Sequence, residues 1–327
     1  MEKENRQKSN TYKFVFLVIL IVFATVLYMT INVRFDNAKL FHYAMQLRST
    51  KVIVMFIVAF CIGGASMVFQ SVINNTIVTP CLLGMNSLYT LVHTFVVFFF
   101  GAGSLAARNS NVAFALDLLL MGVAATFIYG YLFKKTKYNV LYVLLIGVVL
   151  SSFFSSIQTT LVRAMDPNEY DALLATLVAS FSNINAEIIL LAAVMMALVI
   201  LALRKDLAML DAISLGKEQA INLGIDYDRT IKRLLLGVVL FIAIATALVG
   251  PISFLGLIIA NLARQLLKTY RHSQLILGSA LIGMALLIGG QLIVEQVFVY
   301  SIPISVFISV GGGVYFLYLL MIQKRRS

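Results

Sequence analysis

The chain has 327 residues, of which 61% are hydrophobic and only 12% are charged, and its mean hydropathy is +0.96. A soluble domain carries roughly 25% charged residues, so this composition excludes a soluble protein and predicts an all-α protein that crosses a membrane many times. A net charge of +11 could suggest a nucleic-acid partner. In so apolar a chain the charge more simply reports membrane topology, and no nucleic-acid partner is expected.

Ten apolar stretches are candidate membrane spans, because a bilayer core of ~30 Å needs about 20 apolar residues per helix. The first exceeds the ~7–15 apolar residues of a signal peptide and lacks a following Ala-x-Ala site, so a retained helix is expected. No linker or soluble segment separates the stretches, and residues 1–327 are expected to form a single transmembrane domain. The stretches lie at roughly 14–33, 52–73, 82–100, 111–133, 139–162, 186–203, 231–249, 252–267, 274–294 and 303–322.

The basic residues predict the orientation of these spans. With the N-terminus inside, 19 of the 25 Lys and Arg residues fall in inner segments. Because loops rich in Lys and Arg stay in the cytoplasm, both termini are expected there, with residues 1–13 as an N-terminal tail and 204–230 as the main charged inner region. The six basic residues on the outer side are Arg34, Lys39, Arg48, Lys51, Arg108 and Arg163.

Two spans carry a polar face. Steps of three and four residues place their polar residues on one side of each helix. Such residues let helices approach closely in lipid, and they could equally line a water-accessible pathway, so both interpretations stay open. The second span then ends in Asn74–Pro80, a helix-breaking turn that would also suit a gate. The faces comprise Gly63, Ser66, Gln70 and Asn74 in the second span, and Ser151, Ser155 and Thr159 in the fifth.

Candidate chemical groups within the spans are few. Asp117 and Glu295 are not placed at a span centre, where a proton-coupled carrier would carry a carboxylate or a Lys/His relay. A sodium-coupled carrier can use backbone carbonyls, so a stand-alone carrier or channel remains the alternative. Cys61, Cys81 and His93 are interpreted as packing residues. The pattern predicts no metal site, and no catalytic residues of a membrane-embedded enzyme.

Residues 211–224 form a short amphipathic segment with helix-ending glycines in the most charged loop. The sequence contains no G-x-x-x-x-G-K-[ST] motif, so the chain itself is expected to bind no nucleotide. A polar helix held at the membrane surface by flanking spans is well placed to receive force from a partner.

Four segments together resemble one family. Residues 250–264 resemble the G-P-I-x-F-x-G-L-x-x-P-H-x-x-R signature of the iron-siderophore and cobalamin ABC importer permeases, although Ala260-Asn261 replaces Pro-His, as in the catecholate and petrobactin-type subgroup. Residues 70–84 resemble Q-x(4)-N-P-L-A-x-P-x-x-L-G, with Thr76 replacing the first proline. Residues 215–224 resemble L-G-x-x-x-A-x-x-L-G, and 179–185 resemble A-S-F-x-N-x-N. The family motif residues are Gly250, Pro251, Gly256, Asn261 and Arg264.

This resemblance implies the type II ABC importer permease fold and a role in ferric siderophore uptake across the bacterial plasma membrane. It implies a second permease subunit, as a heterodimer, two cytoplasmic ATPases and an extracytoplasmic siderophore-binding protein. ATP and magnesium would belong to the ATPases, and this chain would be a transport subunit without a cofactor or enzymatic activity.

The resemblance also assigns site residues. It places the cytoplasmic gate at Asn75 and Ile77, and binding-protein docking at Arg48 and Lys51, where most relatives carry two arginines. A third arginine that relatives often have late in the ninth span is absent from Val294-Glu295-Gln296. Contact with the ATPase is assigned to Leu215, Gly216, Lys217, Glu218, Ala220, Leu223 and Gly224.

Overall fold

The regular elements of residues 2–33, 38–104, 110–135, 140–181 and 186–324, which the computed structural model describes, are thirteen α-helices and one 3₁₀ turn, Pro80–Leu83. The helices are α1 (Glu2–Thr30), α2 (Ala38–Ile73), α3 (Met85–Phe100), α4 (Ser110–Lys135), α5 (Val140–Arg163), α6 (Pro167–Leu177), α7 (Ala186–Ala208), α8 (Leu210–Ile213), α9 (Lys217–Asn222), α10 (Tyr227–Val249), α11 (Leu255–Leu267), α12 (His272–Gln296) and α13 (Ile304–Lys324).

Eight of these helices are long and apolar enough to cross a membrane, which confirms an all-α, multi-pass membrane protein. The other two predicted spans, 82–100 and 252–267, are shorter apolar helices, Met85–Phe100 and Leu255–Leu267. Their predicted starts are wrong for a local reason. The chain before α3 forms the 3₁₀ turn, and Phe254 before α11 adopts a left-handed conformation with φ 63° that cannot continue a helix.

The second predicted span is also corrected. Helix α2 begins at Ala38 and runs for 36 residues, a length of about 54 Å at 1.5 Å per residue. That length exceeds the ~30 Å bilayer core, so α2 projects beyond the membrane at its N-terminal end. Helix α1 likewise starts at Glu2, so the predicted N-terminal tail is helical from Glu2 onward.

The core of the molecule lies around α2 and α10. In the most apolar window of each helix, 78% of α2 and 72% of α10 is buried, against 11% of α1. Small residues bring α2 and α12 together: a Cβ on Gly63 would lie 2.9 Å from Ser279 Oγ, and one on Gly283 would lie 3.1 Å from Ala59 Cβ. Close helix packing through small residues is the usual means of association in lipid.

Peripheral helices leave apolar faces uncovered. Helices α1, α5 and α13 carry large exposed side chains such as Phe23, Val149 and Leu317. In a membrane protein such faces contact lipid or another subunit.

Two connections have clear capping signals, since Asp166 accepts from the backbone N–H of Asn168 at α6 and Asp226 accepts from that of Arg229 at α10.

Candidate functional site

The candidate site lies at the end of the molecule where residues 74–80, 210–224 and 268–271 meet, here named the coupling end. Helix α2 ends there in a left-handed residue, Asn74 (φ 54°), and the N–H of Asn75 donates to the carbonyl of Gln70 at 3.0 Å. Asn tolerates this conformation and makes a suitable helix end. Asn75 Oδ1 then accepts from the N–H of Ile77 at 3.0 Å. Residues 74–79, named the gate loop, therefore form a defined turn.

Two family-motif residues of α11 hold the gate loop. Asn261 Nδ2 donates to the carbonyl of Thr76 at 2.8 Å and to that of Leu257 at 3.0 Å. Arg264 Nη2 donates to Ser71 Oγ at 2.9 Å, one turn before the end of α2. The sequence showed these residues only as a motif. Asn261 contacts the gate loop itself and Arg264 contacts the last turn of α2 before it, and these contacts across about 190 residues needed the fold to be seen.

The glycines of the same motif allow other segments of the chain to approach their backbone closely. A Cβ on Gly256 would lie 2.0 Å from Ser66 Oγ. Gly250 adopts φ 87°, and a Cβ there would lie 3.0 Å from Ala179 Cα, beside the bond from the N–H of Ser180 to the carbonyl of Val249 at 2.9 Å. Only glycine meets both demands at position 250. The motif residues 182–185, including Asn183 and Asn185, lie outside the described residues.

The coupling segment, residues 210–224, folds as the two short helices α8 and α9. Gly216 (φ 107°) joins them, and Gly224 (φ 80°) ends α9 with the N–H of Ile225 bonded to the carbonyl of Ala220 at 3.1 Å. The side chain of Ala220 in α9 is fully buried, so the coupling segment is packed against the rest of the chain on that side. A left-handed glycine just after the last helical residues, such as Gly224, is a common helix end.

The coupling segment exposes three large aliphatic side chains among polar residues such as Lys217 and Glu218. Leu215 is 61% exposed and Leu223 is 63% exposed, with Ile221 between them at 50%. Lys217 Nζ lies 2.9 Å from Asp228 Oδ1 at the rim. An exposed group of large aliphatic side chains with a charged edge is typical of a protein contact surface.

A carboxylate links the coupling segment to α12. Asp211 Oδ1 accepts from the backbone N–H of His272 at 2.8 Å and lies 2.6 Å from His272 Nδ1. Since a carboxylate oxygen only accepts, Nδ1 is the protonated ring nitrogen. No sequence pattern indicates this pair, whose two residues lie 61 positions apart in the chain.

A cavity of about 230 Å³ opens between the gate loop, the coupling segment and the connection from α11 to α12. Gln70, only 1% exposed, lines it, and neither of its amide atoms has a hydrogen-bond partner among the described residues. Among the described residues, Arg264 Nε also has no hydrogen-bond partner, and it is buried in the same part of the structure. Other polar residues of the lining include Ser71, Asn75, Ser214 and His272.

The two predicted pathway faces differ in the structure. Gly63 packs against Ser279 and Ser66 against Gly256, which are helix-packing contacts, and a pathway role for these two residues stays a prediction. Gln70 and Asn74 instead border the cavity. On α5, Ser151 Oγ pairs with Ser87 Oγ at 2.8 Å, whereas Ser155 and Thr159 are exposed in this single chain. The α5 face stays a candidate for lining a pathway.

At the opposite end of α2 and α12, Glu295 forms the centre of a buried cluster. Its Oε1 accepts from Tyr28 Oη at 2.8 Å, Lys51 Nζ at 2.8 Å and Gln291 Nε2 at 2.9 Å. Lys51 Nζ also lies 3.3 Å from Tyr300 Oη. Burial raises the pKa of the Tyr300 phenol above its usual value and Lys51 opposes the rise. The cluster joins α1, α2, α12 and the following loop.

The predicted docking residues therefore have partners inside the chain. Arg48 Nη1 donates to the carbonyls of Tyr28 at 2.5 Å and Ile31 at 2.8 Å, at the end of α1. Lys51 is paired with Glu295. These contacts give both positive charges a structural reason that the sequence argument lacked, and the docking role of Arg48 and Lys51 stays a prediction.

His93, interpreted from the sequence as a packing residue, has a hydrogen-bond partner in the structure. Its Nδ1 lies 2.9 Å from Asp117 Oδ1 between α3 and α4. Tyr89 stacks on His93 with ring centroids 4.8 Å apart. His93 is therefore a packed histidine with a polar partner. Its contact ties the two helices together.

Cys61 is buried, Cys81 is partly buried, and both are free thiols.

Comparison with known proteins gives consistent results. The model of the FecCD transport family matches residues 12–322. The petrobactin import system permease protein YclO of Bacillus subtilis (strain 168) is 41% identical over 283 residues, covering 86% of this chain and 90% of that protein. The petrobactin import system permease protein FatC of Bacillus anthracis is 31% identical over 281 residues, covering 85% and 78%.

A solved structure has the same fold. It is described as an inward-facing conformation of a metal-chelate type ABC transporter, and it aligns with a TM-score of 0.79 over 97% of this chain and 99% of that chain. The sequence identity is 22%, so the likeness concerns the fold.

Proposed function

The chain belongs to the FecCD transport family, and from this premise we propose that it is the membrane-spanning permease subunit of an ATP-driven importer of ferric siderophores. The observation that carries the ATP-driven part is the coupling segment, which exposes Leu215, Ile221 and Leu223 among polar residues and has left-handed glycines at Gly216 and Gly224. Such a face on a membrane protein fits a soluble partner that supplies energy.

The proposed assembly has four kinds of component. Two ATPase subunits on the cytoplasmic side bind ATP and magnesium and contact Leu215, Gly216, Lys217, Glu218, Leu223 and Gly224. Ala220, which the resemblance also assigned to this contact, is fully buried and instead packs the segment against the chain. A second, similar permease pairs with this chain as a heterodimer. A siderophore-binding protein delivers the chelate on the outer side, where Arg48 and Lys51 are the docking candidates. Both termini lie in the cytoplasm of a bacterial cell, and the protein resides in the plasma membrane.

The proposed transport step is a change of conformation without covalent chemistry by this chain. ATPase closure moves the coupling segment, and the motion opens and closes the gate loop at Asn75 and Ile77. The polar face of α5, with Ser155 and Thr159, lines the path. Petrobactin is the chelate we propose to test first, because two relatives are named petrobactin import permeases.

The experiment that tests this function is purification of the tagged chain in mild detergent from iron-starved cells, followed by identification of co-purifying proteins. Recovery of a P-loop ATPase and a second permease supports the heterodimeric importer. Recovery of an ATPase without another permease would make the assembly a homodimer. A solitary chain that supports iron uptake without ATP would instead favour the stand-alone carrier.

A further inference from the structure

The contact between Asp211 and His272 is the most specific link between the coupling segment and a membrane-spanning helix. One carboxylate oxygen of Asp211 holds both the backbone N–H and the ring Nδ1–H of the first residue of α12. The negative charge lies at the N-terminus of a 25-residue helix, where the helix dipole favours an anion. Hydrogen bonds to a charged group are about twice as strong as neutral ones.

The burial of the two side chains suits a joint. The His272 side chain is 6% exposed and is fixed in the helical part of the molecule, whereas the Asp211 side chain is 47% exposed and belongs to the coupling segment. Leu210 and Ile213 on either side of Asp211 are buried, so α8 is seated firmly. A displacement of α8 is therefore passed to the end of α12.

Helix α12 connects this joint, at its first residue, with the Glu295 cluster near its last residue. It packs along α2, whose last turn leads into the gate loop. Its other end carries Glu295, which is bound to α1 and α2 through Tyr28 and Lys51. A force applied at His272 would thus act on a helix that is held at its other end by the hydrogen bonds of Glu295.

The cavity beside the joint provides room for such a shift. His272 and Ser214 line one side of it, and Asn74, Asn75 and Thr76 of the gate loop line the other. Gln70 lies buried in its wall, and its two amide atoms have no hydrogen-bond partner in the described parts of the chain. A movement of α12 that narrows the cavity would offer partners to Gln70, since buried amides gain free energy when they become hydrogen-bonded.

We infer that Asp211 and His272 are positioning residues that form the joint through which the coupling segment moves α12 and thereby the gate loop. This inference rests on the proposed function. Neither residue contacts the transported chelate, and neither belongs to the residues assigned to ATPase contact. Their effect is on the number of chelates imported for each ATP hydrolysed.

The test measures ATP hydrolysis and import of radiolabelled iron–petrobactin by the complete complex reconstituted in vesicles. Asp211→Ala is expected to reduce the ratio of import to hydrolysis roughly tenfold, because a hydrogen bond to a charged group is worth a factor of about ten or more in an equilibrium constant. Asp211→Asn keeps an oxygen acceptor and is expected to retain most of the ratio. His272→Ala keeps the backbone N–H and should give an intermediate value.

The control is Ser273→Ala, an exposed neighbour of His272 on α12, which should leave the ratio unchanged. Import and hydrolysis that fall together with an unchanged ratio would assign Asp211 to folding alone and overturn the inference. If Asp211→Ala yields no complex, a wild-type ratio in His272→Ala overturns it. If the wild-type complex imports no chelate with ATP, the proposed function fails, and the joint fails with it.

Discussion

The two ends of the α2–α12 pair are held together in different ways. At the opposite end, one oxygen of Glu295 receives three hydrogen bonds, and the cluster joins four segments of the chain. At the coupling end, Gln70 and Arg264 have buried atoms that find no partner among the described residues around a cavity. An unpartnered buried polar group costs about 1–3 kcal/mol. The two ends therefore differ in how fully their buried polar groups are hydrogen-bonded, and the proposed movement belongs to the less satisfied end.

The largest effect is expected from a change that breaks the coupling segment. Gly216→Pro is incompatible with φ 107°, because proline fixes φ near −65°, and it also removes the N–H that donates to Ile213. Transport should be lost while insertion into the membrane is kept, as measured by iron–petrobactin uptake and by membrane fractionation. Normal uptake would refute the coupling role.

A matched control for that experiment is Gly103→Pro. A Cβ at Gly103 would meet no atom within 4 Å, and its φ lies outside the left-handed region. Uptake by this variant should resemble that of the wild type. A loss equal to that of Gly216→Pro would mean that proline in any loop is harmful and that position 216 is not special.

The next largest effect concerns the Glu295 cluster. Glu295→Ala leaves Lys51 as a buried charge without its partner, so the free energy of unfolding should fall by about 3–5 kcal/mol. Glu295→Gln keeps an acceptor for Lys51 and should cost less. Thermal unfolding of the purified protein measures both. Equal losses in the two variants would mean that the charge of Glu295 is unimportant.

The sequence predicted the helical class and the segments, because apolar length and charged loops reflect the membrane directly. It could not predict that α11 is only 13 residues long, since Phe254 adopts a left-handed conformation that nothing in its side chain requires. The pairs Asp211–His272 and Lys51–Glu295 were also missed. Each joins residues distant in the chain, and periodicity within one helix carries no information about such contacts.

The polar stripe of the second span illustrates the same limit. Helical spacing groups Gly63, Ser66 and Gln70 on α2, whereas Asn74 follows the end of the helix in a left-handed conformation, and spacing alone does not reveal the neighbours of a face. Gly63 and Ser66 meet α12 and α11, whereas Gln70 meets a cavity. The contacts at the first two positions are helix-packing contacts, and a pathway role there stays a prediction.

A smaller effect is expected where α11 holds the gate loop. Asn261→Ala removes the donor to the carbonyl of Thr76, worth about 1 kcal/mol. Hydrogen exchange at the N–H of Ile77 should then be about fivefold faster, because local opening becomes easier. The control is Gln265→Ala on the same helix as Asn261. This variant removes an exposed hydrogen bond from Gln265 to Tyr315 of α13. Equal exchange rates in both variants would remove the anchoring role of Asn261.

The smallest effect on stability, and the most informative about the coupling end, is expected from Gln70→Leu. Because neither amide atom of Gln70 has a partner among the described residues, an apolar side chain of similar size should leave the free energy of unfolding unchanged or raise it by up to about 1 kcal/mol. If the cavity closes during transport and gives the amide partners, the variant should still import more slowly. A stable variant with normal import would show that Gln70 stays unpartnered throughout the cycle, whereas a strongly destabilised one would show that its amide is already bonded in the resting protein.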